Sequence, residues 1–196
     1  LYYGIYQSVR DSAWQCLLDF DIACLPVDVL SVARRMGVRV IRNSTVGELL
    51  PNENGKAYFD GVHWIIIYND QNTAEMSRFT IAHELGHILL GHELAHARYA
   101  QIEEFAHKPK AEQQADTFAL RLLCPACVLW ELGVTAPEEI ASVCRISKSS
   151  EQKRARRLSA LAKRNCFLSS PLERAVREQF SAYMAQRMEE LAKKNE

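Results

Sequence analysis

The chain has 196 residues, 48% of them apolar and 24% charged, with a formal net charge of zero. Such a chain has room for one sizeable domain and a small appendage. Its neutrality excludes a whole-molecule electrostatic pull toward nucleic acid or anionic membrane, and no run nears the ~18 apolar residues of a membrane span. The opening Leu1-Tyr2-Tyr3-Gly4 has neither a basic stretch nor an apolar core behind it, so no secretory signal is expected.

Residues near 5–20 are predicted to be helical, with Ile5, Val9, Trp14, Leu17 and Leu18 on an apolar side. Pro26 opens a second predicted helix, Val27 to Met36, and Gly37 closes it. Val38-Arg39-Val40-Ile41 reads as a short strand, and Glu48 to Gly55 as a loop. Lys56 to Phe59 and His63 to Tyr68 are strand-like runs flanking Asp60-Gly61, a hairpin signal. Asn72 or Thr73 caps a helix that runs to about Leu90, where Gly91 stops it. Residues 92–110 form a long polar loop, of a size that is often functional. A further helix spans Ala111 to Leu123 and stops at Pro125.

The remainder is predicted to be helical. Thr135-Ala136-Pro137-Glu138 reads as a capping box opening a helix through Ile140 and Val143. After a break at Arg145, Ile146 and Ser147, another helix runs from Lys148 to Lys163, and the pair resembles a helix-turn-helix. Ser170-Pro171-Leu172-Glu173 caps a last helix with an apolar stripe of Leu172, Val176, Phe180, Met184 and Leu191. The expected fold is therefore α+β and mostly helical. A small antiparallel sheet packs on the pair of helices that end near Leu90 and Leu123, and a helical, helix-turn-helix-like C-terminal segment follows. The boundary falls at 1–125 for the first domain and 126–196 for the second.

The chemistry concentrates at His83-Glu84-Leu85-Gly86-His87. HExxH on a helix puts two imidazoles on one face, within reach of a single zinc ion, with a glutamate beside them. Glu84 can act as a general base without being a ligand. Phe79 to Ala82 and Ile88 to Leu90 make this helix apolar on several sides, and buried histidines with a glutamate need partners. A catalytic zinc takes three protein ligands and leaves a fourth position open. The HExxHxxGxxH extension fails, because Leu90 and Glu93 stand where glycine and histidine are required. A glutamate on a second helix fits better: Glu112 and Asp116 share a helix face, so Glu112 can bind the ion while Asp116 accepts the free ring N–H of a ligand histidine. On spacing alone His92, Glu93, His96, Glu103, Glu104 and His107 compete with Glu112. His92, five positions after His87, is expected to point away from the ligand face.

Arg78 to His87, Leu90-Gly91-His92, and Glu112-Gln113-Gln114-Ala115-Asp116 through Phe118-Ala119 to Leu122-Leu123-Cys124-Pro125 resemble the ImmA/IrrE family of zinc metallopeptidases. The match departs at Cys124, where methionine is usual, at a position that reads as core packing. The resemblance implies a gluzincin-like site with His83, His87 and Glu112 as zinc ligands and Glu84 as catalytic base. It also implies a bacterial, phage or mobile-element protease, several of whose kind cleave a helix-turn-helix repressor and derepress the genes it silences. The expected cofactor is Zn2+, with Mn2+ tolerated by the same donors. His96, Tyr99, His107 and Tyr58 are candidates for stabilising the oxyanion.

Six cysteines without regular spacing suit reduced thiols in a cytoplasmic protein, and the lone Cys124-Pro125-Ala126-Cys127 is a weak metal or redox signal. The stretch 145–164 carries Arg145, Lys148, Lys153, Arg154, Arg156, Arg157, Lys163 and Arg164 against only Glu151. It can contact DNA, or it can be a solvated face or a dock for an acidic protein; the second pair of readings is favoured, because charge alone does not read bases. The alternative to a protease is a DNA- or regulator-binding module whose metal site is inactive or structural.

Overall fold

The computed structural model describes residues 9–92 and 110–194. In chain order its elements are α1 (Val9–Asp19), α2 (Val29–Arg35), β1 (Arg39–Arg42), α3 (Asn43–Val46), β2 (Gly55–Phe59), β3 (Trp64–Tyr68), α4 (Ala74–Leu90), α5 (Lys110–Leu123), α6 (Ala126–Glu131), α7 (Pro137–Cys144), α8 (Lys148–Lys163), α9 (Pro171–Gln179) and α10 (Ser181–Lys194). Among the described residues, close contacts group 9–12 with 28–92 and 110–119, and 13–27 with 120–194.

The first unit holds the sheet, in the order β1-β3-β2. The expected α+β, mostly helical fold with a small sheet forms, but the sheet is mixed. β2 pairs antiparallel with β3, while β1 pairs parallel with it. β1 reaches β3 only after α3 and β2 have intervened, and such a crossover, unlike a hairpin, can return the chain in the same direction. Ile65, Ile66 and Ile67 are all buried, so this central strand is covered on both faces, which is why its sequence is a continuous apolar run instead of an alternation. The hairpin turn is longer than a two-residue Asp-Gly loop. The Asp60 carboxylate accepts the N–H groups of Val62 and His63, and Asp60 donates its own N–H to the His63 carbonyl.

Local signals set the helix ends. Thr73 is the N-cap of α4, its Oγ1 accepting the Met76 N–H, and Gly91 ends the helix in the left-handed region at φ +66. Pro26 does not open α2. Asp28 does, its carboxylate accepting the N–H groups of Leu30 and Ser31, an N-cap role that a proline lacks the oxygen to play. The short α3 was not expected; Asp70 holds it by accepting the N–H and hydroxyl of Ser44. α4 packs against β2, β3 and α2.

In the second unit, α7 and α8 pack together across a turn in which Arg145 is left-handed at φ 50. The capping box at Thr135 does not form. Ala136 is the N-cap and Pro137 the first helical residue, so the threonine hydroxyl lies one position too early. α6 was not expected; it starts directly after Pro125 and buries Ala126, Cys127, Val128 and Leu129. The single helix predicted after Ser170 is interrupted at Phe180, dividing α9 from α10. Val176, Phe180 and Met184 are buried as the stripe requires, but Leu191 is 44% exposed. Gln179 donates to the carbonyls of Leu17 and Ile22, tying α9 to the last turn of α1 and the segment that follows it. Of the basic stretch, Arg154 is buried and donates to the Cys124 carbonyl, and its Nε has no hydrogen-bond partner among the described residues, while Lys148, Lys153, Arg156 and Arg157 are exposed. Among the described residues no helix is long and apolar enough to cross a membrane.

Candidate metal centre

α4 carries His83 and His87 one turn apart, with their Nε2 atoms 3.0 Å from each other. Glu112, in the first turn of α5, faces both: Oε2 lies 3.3 Å from His83 Nε2 and Oε1 3.2 Å from His87 Nε2. Two helices can approach this closely because Gly86 has no side chain. A Cβ there would lie 3.0 Å from Phe118 Cδ1 and 3.3 Å from the Ala115 Cα. The glycine inside the HExxH motif is thus the point where α4 seats against α5.

The ring nitrogens turned away from Glu112 are also engaged. His83 Nδ1 lies 2.9 Å from Asp116 Oδ1, one helical turn beyond Glu112. His87 Nδ1 lies 3.1 Å from Nδ1 of His92, whose Nε2 is 3.1 Å from Gln114 Oε1. His92 was expected to point away and does not. Gly91 turns the chain back, so that the N–H of His92 donates to the His87 carbonyl and the N–H of Gly91 to that of Ile88. This is the Schellman pattern, which sets the residue after the glycine against the one five positions earlier. The signal was legible in Gly91-His92; what it lacked was the step from helix stop to side-chain placement.

His83, His87 and Glu112 each offer a ligand atom within 4.8 Å of the others and could hold a metal ion; among the described residues no second such group occurs. If Asp116 takes the Nδ1 proton of His83, its Nε2 presents a lone pair toward its neighbours. Two imidazole lone pairs and a carboxylate at 3.0–3.3 Å repel one another unless a proton or a metal ion lies among them. Bonds of about 2.0–2.1 Å in a tetrahedron put ligand atoms roughly 3.3 Å apart, so the spacing fits. The electrostatics agree. Burial pulls the His83 imidazolium down, but hydrogen bonds to Asp116 and Glu112 outweigh it and hold the pKa at about 10. Burial also pushes Glu112 up, yet its bonds to the two histidines win and hold it well below the usual carboxylate range. Both shifts mark a site built for positive charge.

Glu84 is 8% exposed. Burial raises its pKa against the opposing pull of His83 and His87. Gly55, at the start of β2, packs over it: a Cβ there would collide with Thr80 Cγ2 and lie 3.6 Å from Glu84 Oε1. Burial lowers the pKa of His92, which favours the neutral ring.

A family model described as the IrrE N-terminal-like domain, a peptidase family, matches residues 33–156. The chain belongs to that family. No curated protein matches it. Membership in the IrrE N-terminal-like family supports a zinc metallopeptidase-like function, and the His83, His87 and Glu112 cluster is consistent with it. Glu93, His96, Tyr99, Glu103, Glu104 and His107 lie outside the described residues. Tyr58 lies on β2, partly buried, with Lys56 Nζ 5.8 Å from its ring centre. Cys124 and Cys127 are buried free thiols; burial, and then the charge of Glu173, push Cys127 up to about 12, which leaves it a poor nucleophile.

Proposed function

We propose that this chain is a zinc-dependent endopeptidase that cleaves a helix-turn-helix transcriptional repressor in a bacterial cytoplasm and thereby derepresses the genes it silences. The observation that carries the hydrolase part is the convergence of His83, His87 and Glu112 beside the buried carboxylate of Glu84. A divalent cation held by those three side chains supplies Lewis-acid polarisation of a carbonyl and a lowered pKa for water, and Mn2+ suits the same donors. Glu84 takes the proton of the attacking water and returns it to the departing amine nitrogen. Its burial suits this role, because a carboxylate of raised pKa is the stronger base. Asp116 keeps the His83 ring turned toward Glu112.

Among the described residues β2 is an edge strand, with β3 on one side, and its first residue packs over Glu84. An extended peptide added to that edge gains main-chain hydrogen bonds and passes the general base. Support for the repressor as substrate is the family resemblance. The exposed bases of α8 are read as a solvated face or a dock for an acidic protein; salt-dependent DNA binding by the full chain would instead favour a DNA- or regulator-binding module.

The test is incubation of the purified chain with a repressor encoded beside it, with and without chelator, read by mass spectrometry of the fragments. Cleavage at one or few sites is expected, abolished by chelator and by Glu84→Gln, which retains the metal. Cutting that survives in Glu84→Gln at the wild-type rate overturns the assignment of the base.

A further inference from the structure

We propose that His92, braced by Gln114, is a positioning residue that holds His87 in the tautomer and orientation a metal ligand needs. The inference rests on the reading of His83, His87 and Glu112 as a metal centre. It starts from an asymmetry: the His83 ring is backed by the carboxylate of Asp116, while the His87 ring is backed by a neutral imidazole.

The hydrogen-bond chain admits one direction compatible with metal binding. With Gln114 Oε1 at 3.1 Å, His92 donates from Nε2, so its Nδ1 carries the lone pair. That lone pair, 3.1 Å from His87 Nδ1, accepts the His87 Nδ1–H. His87 Nε2 is then left unprotonated, facing Glu112 and His83. Turning the Gln114 amide over reverses every step and puts a proton on His87 Nε2, where it would block ligation. The carboxamide oxygen of a residue two positions after Glu112 therefore selects the tautomer of a histidine on the other helix. The placement is built by backbone, through the left-handed Gly91 and the His92 N–H bonded to the His87 carbonyl. The rings of His87 and His92 meet edge to face, with centres 5.0 Å apart.

Three variants of the full chain separate hydrogen bonding from shape. His92→Phe keeps the ring packing and removes the acceptor; His92→Gln restores an acceptor on a different frame; Gln114→Leu removes the brace. Zn2+ affinity is read by chelator competition, the ligand field by the visible absorption of the Co2+ form, and the fold by the melting temperature of the metal-free protein. The expected result is a Zn2+ affinity lower by about 10–100-fold in His92→Phe, with altered Co2+ bands. Affinity returns to within a few-fold of wild type in His92→Gln, and Gln114→Leu lies between. Wild-type affinity and spectrum in both His92→Phe and Gln114→Leu overturn the proposal. So does a His92→Gln protein that folds as well as His92→Phe and binds no better. A wild-type chain that takes up neither Zn2+ nor Co2+ overturns the metal centre itself, which is a different failure.

Discussion

The Cβ that Gly86 lacks would lie 3.0 Å from Cδ1 of Phe118. That missing atom sets how closely the helix of the two histidines approaches the helix of Glu112. Gly86→Val should therefore force α4 and α5 apart, costing about 1–3 kcal/mol of stability by overpacking. It should also weaken metal binding, because His83 and His87 move relative to Glu112. Denaturant unfolding and chelator competition check the two effects; unchanged metal affinity would show that the close approach does not set the site.

Asp116 accepts from His83 at 2.9 Å. Asp116→Ala frees the imidazole to rotate and to change tautomer, so Zn2+ affinity should fall by about 10–100-fold. The same assay applied to the Asp116→Asn variant should show a smaller loss, since the amide oxygen still accepts a hydrogen bond without the charge.

Metal loading should release protons. In the metal-free protein the His83 pKa stands at about 10, so at pH 7 the ring is charged. Ligation needs a free Nε2, and about one proton per ion should leave on binding, detectable by calorimetry in buffers of different ionisation enthalpy. A raised folded pKa also means that the His83 interactions stabilise the metal-free fold fully below the ordinary value of ~6.5 and are lost as pH rises through the folded value. Zn2+ affinity should accordingly climb with pH over that window.

Asp60 carries the hairpin turn. Hydrogen bonds from the N–H groups of His63 and Val62 lower its pKa below the usual carboxylate value. A depressed folded pKa contributes stability above the unfolded value of ~3.9, and that contribution disappears as pH falls through the folded one. Asp60→Asn should melt at a lower temperature than wild type at pH 7, and the gap should close in acid. A gap independent of pH would mean that the carboxylate charge plays no part.

Asp28 caps α2 with bonds to two backbone N–H groups. Asp28→Ala should cost about 1 kcal/mol by equilibrium unfolding, within a range of roughly 0.5–2. The metal site should bind as before.

Local chemistry by itself determined much of this protein. Thr73 and Gly91 bound the α4 helix because a cap oxygen and a left-handed glycine act on backbone groups within one turn. His83 and His87 share a face because helix geometry repeats every 3.6 residues. The Asp60-Gly61 turn between two strand-like runs likewise marked β2 and β3, and the stop at Pro125 marked the end of α5. What only the tertiary structure decided is whatever depends on distant partners. That Glu112 reaches both histidines follows from the seating of α4 on α5 at Gly86, and no sequence spacing encodes that distance. The parallel pairing of β1 with β3 and the grouping of residues 13–27 with the C-terminal helices are of the same kind. So is the Phe180 interruption between α9 and α10, since an apolar stripe is equally satisfied by one helix or by two. His92 stands between the two cases. Its backbone turn was written in Gly91, but its meeting with His87 and Gln114 needed the second helix in place.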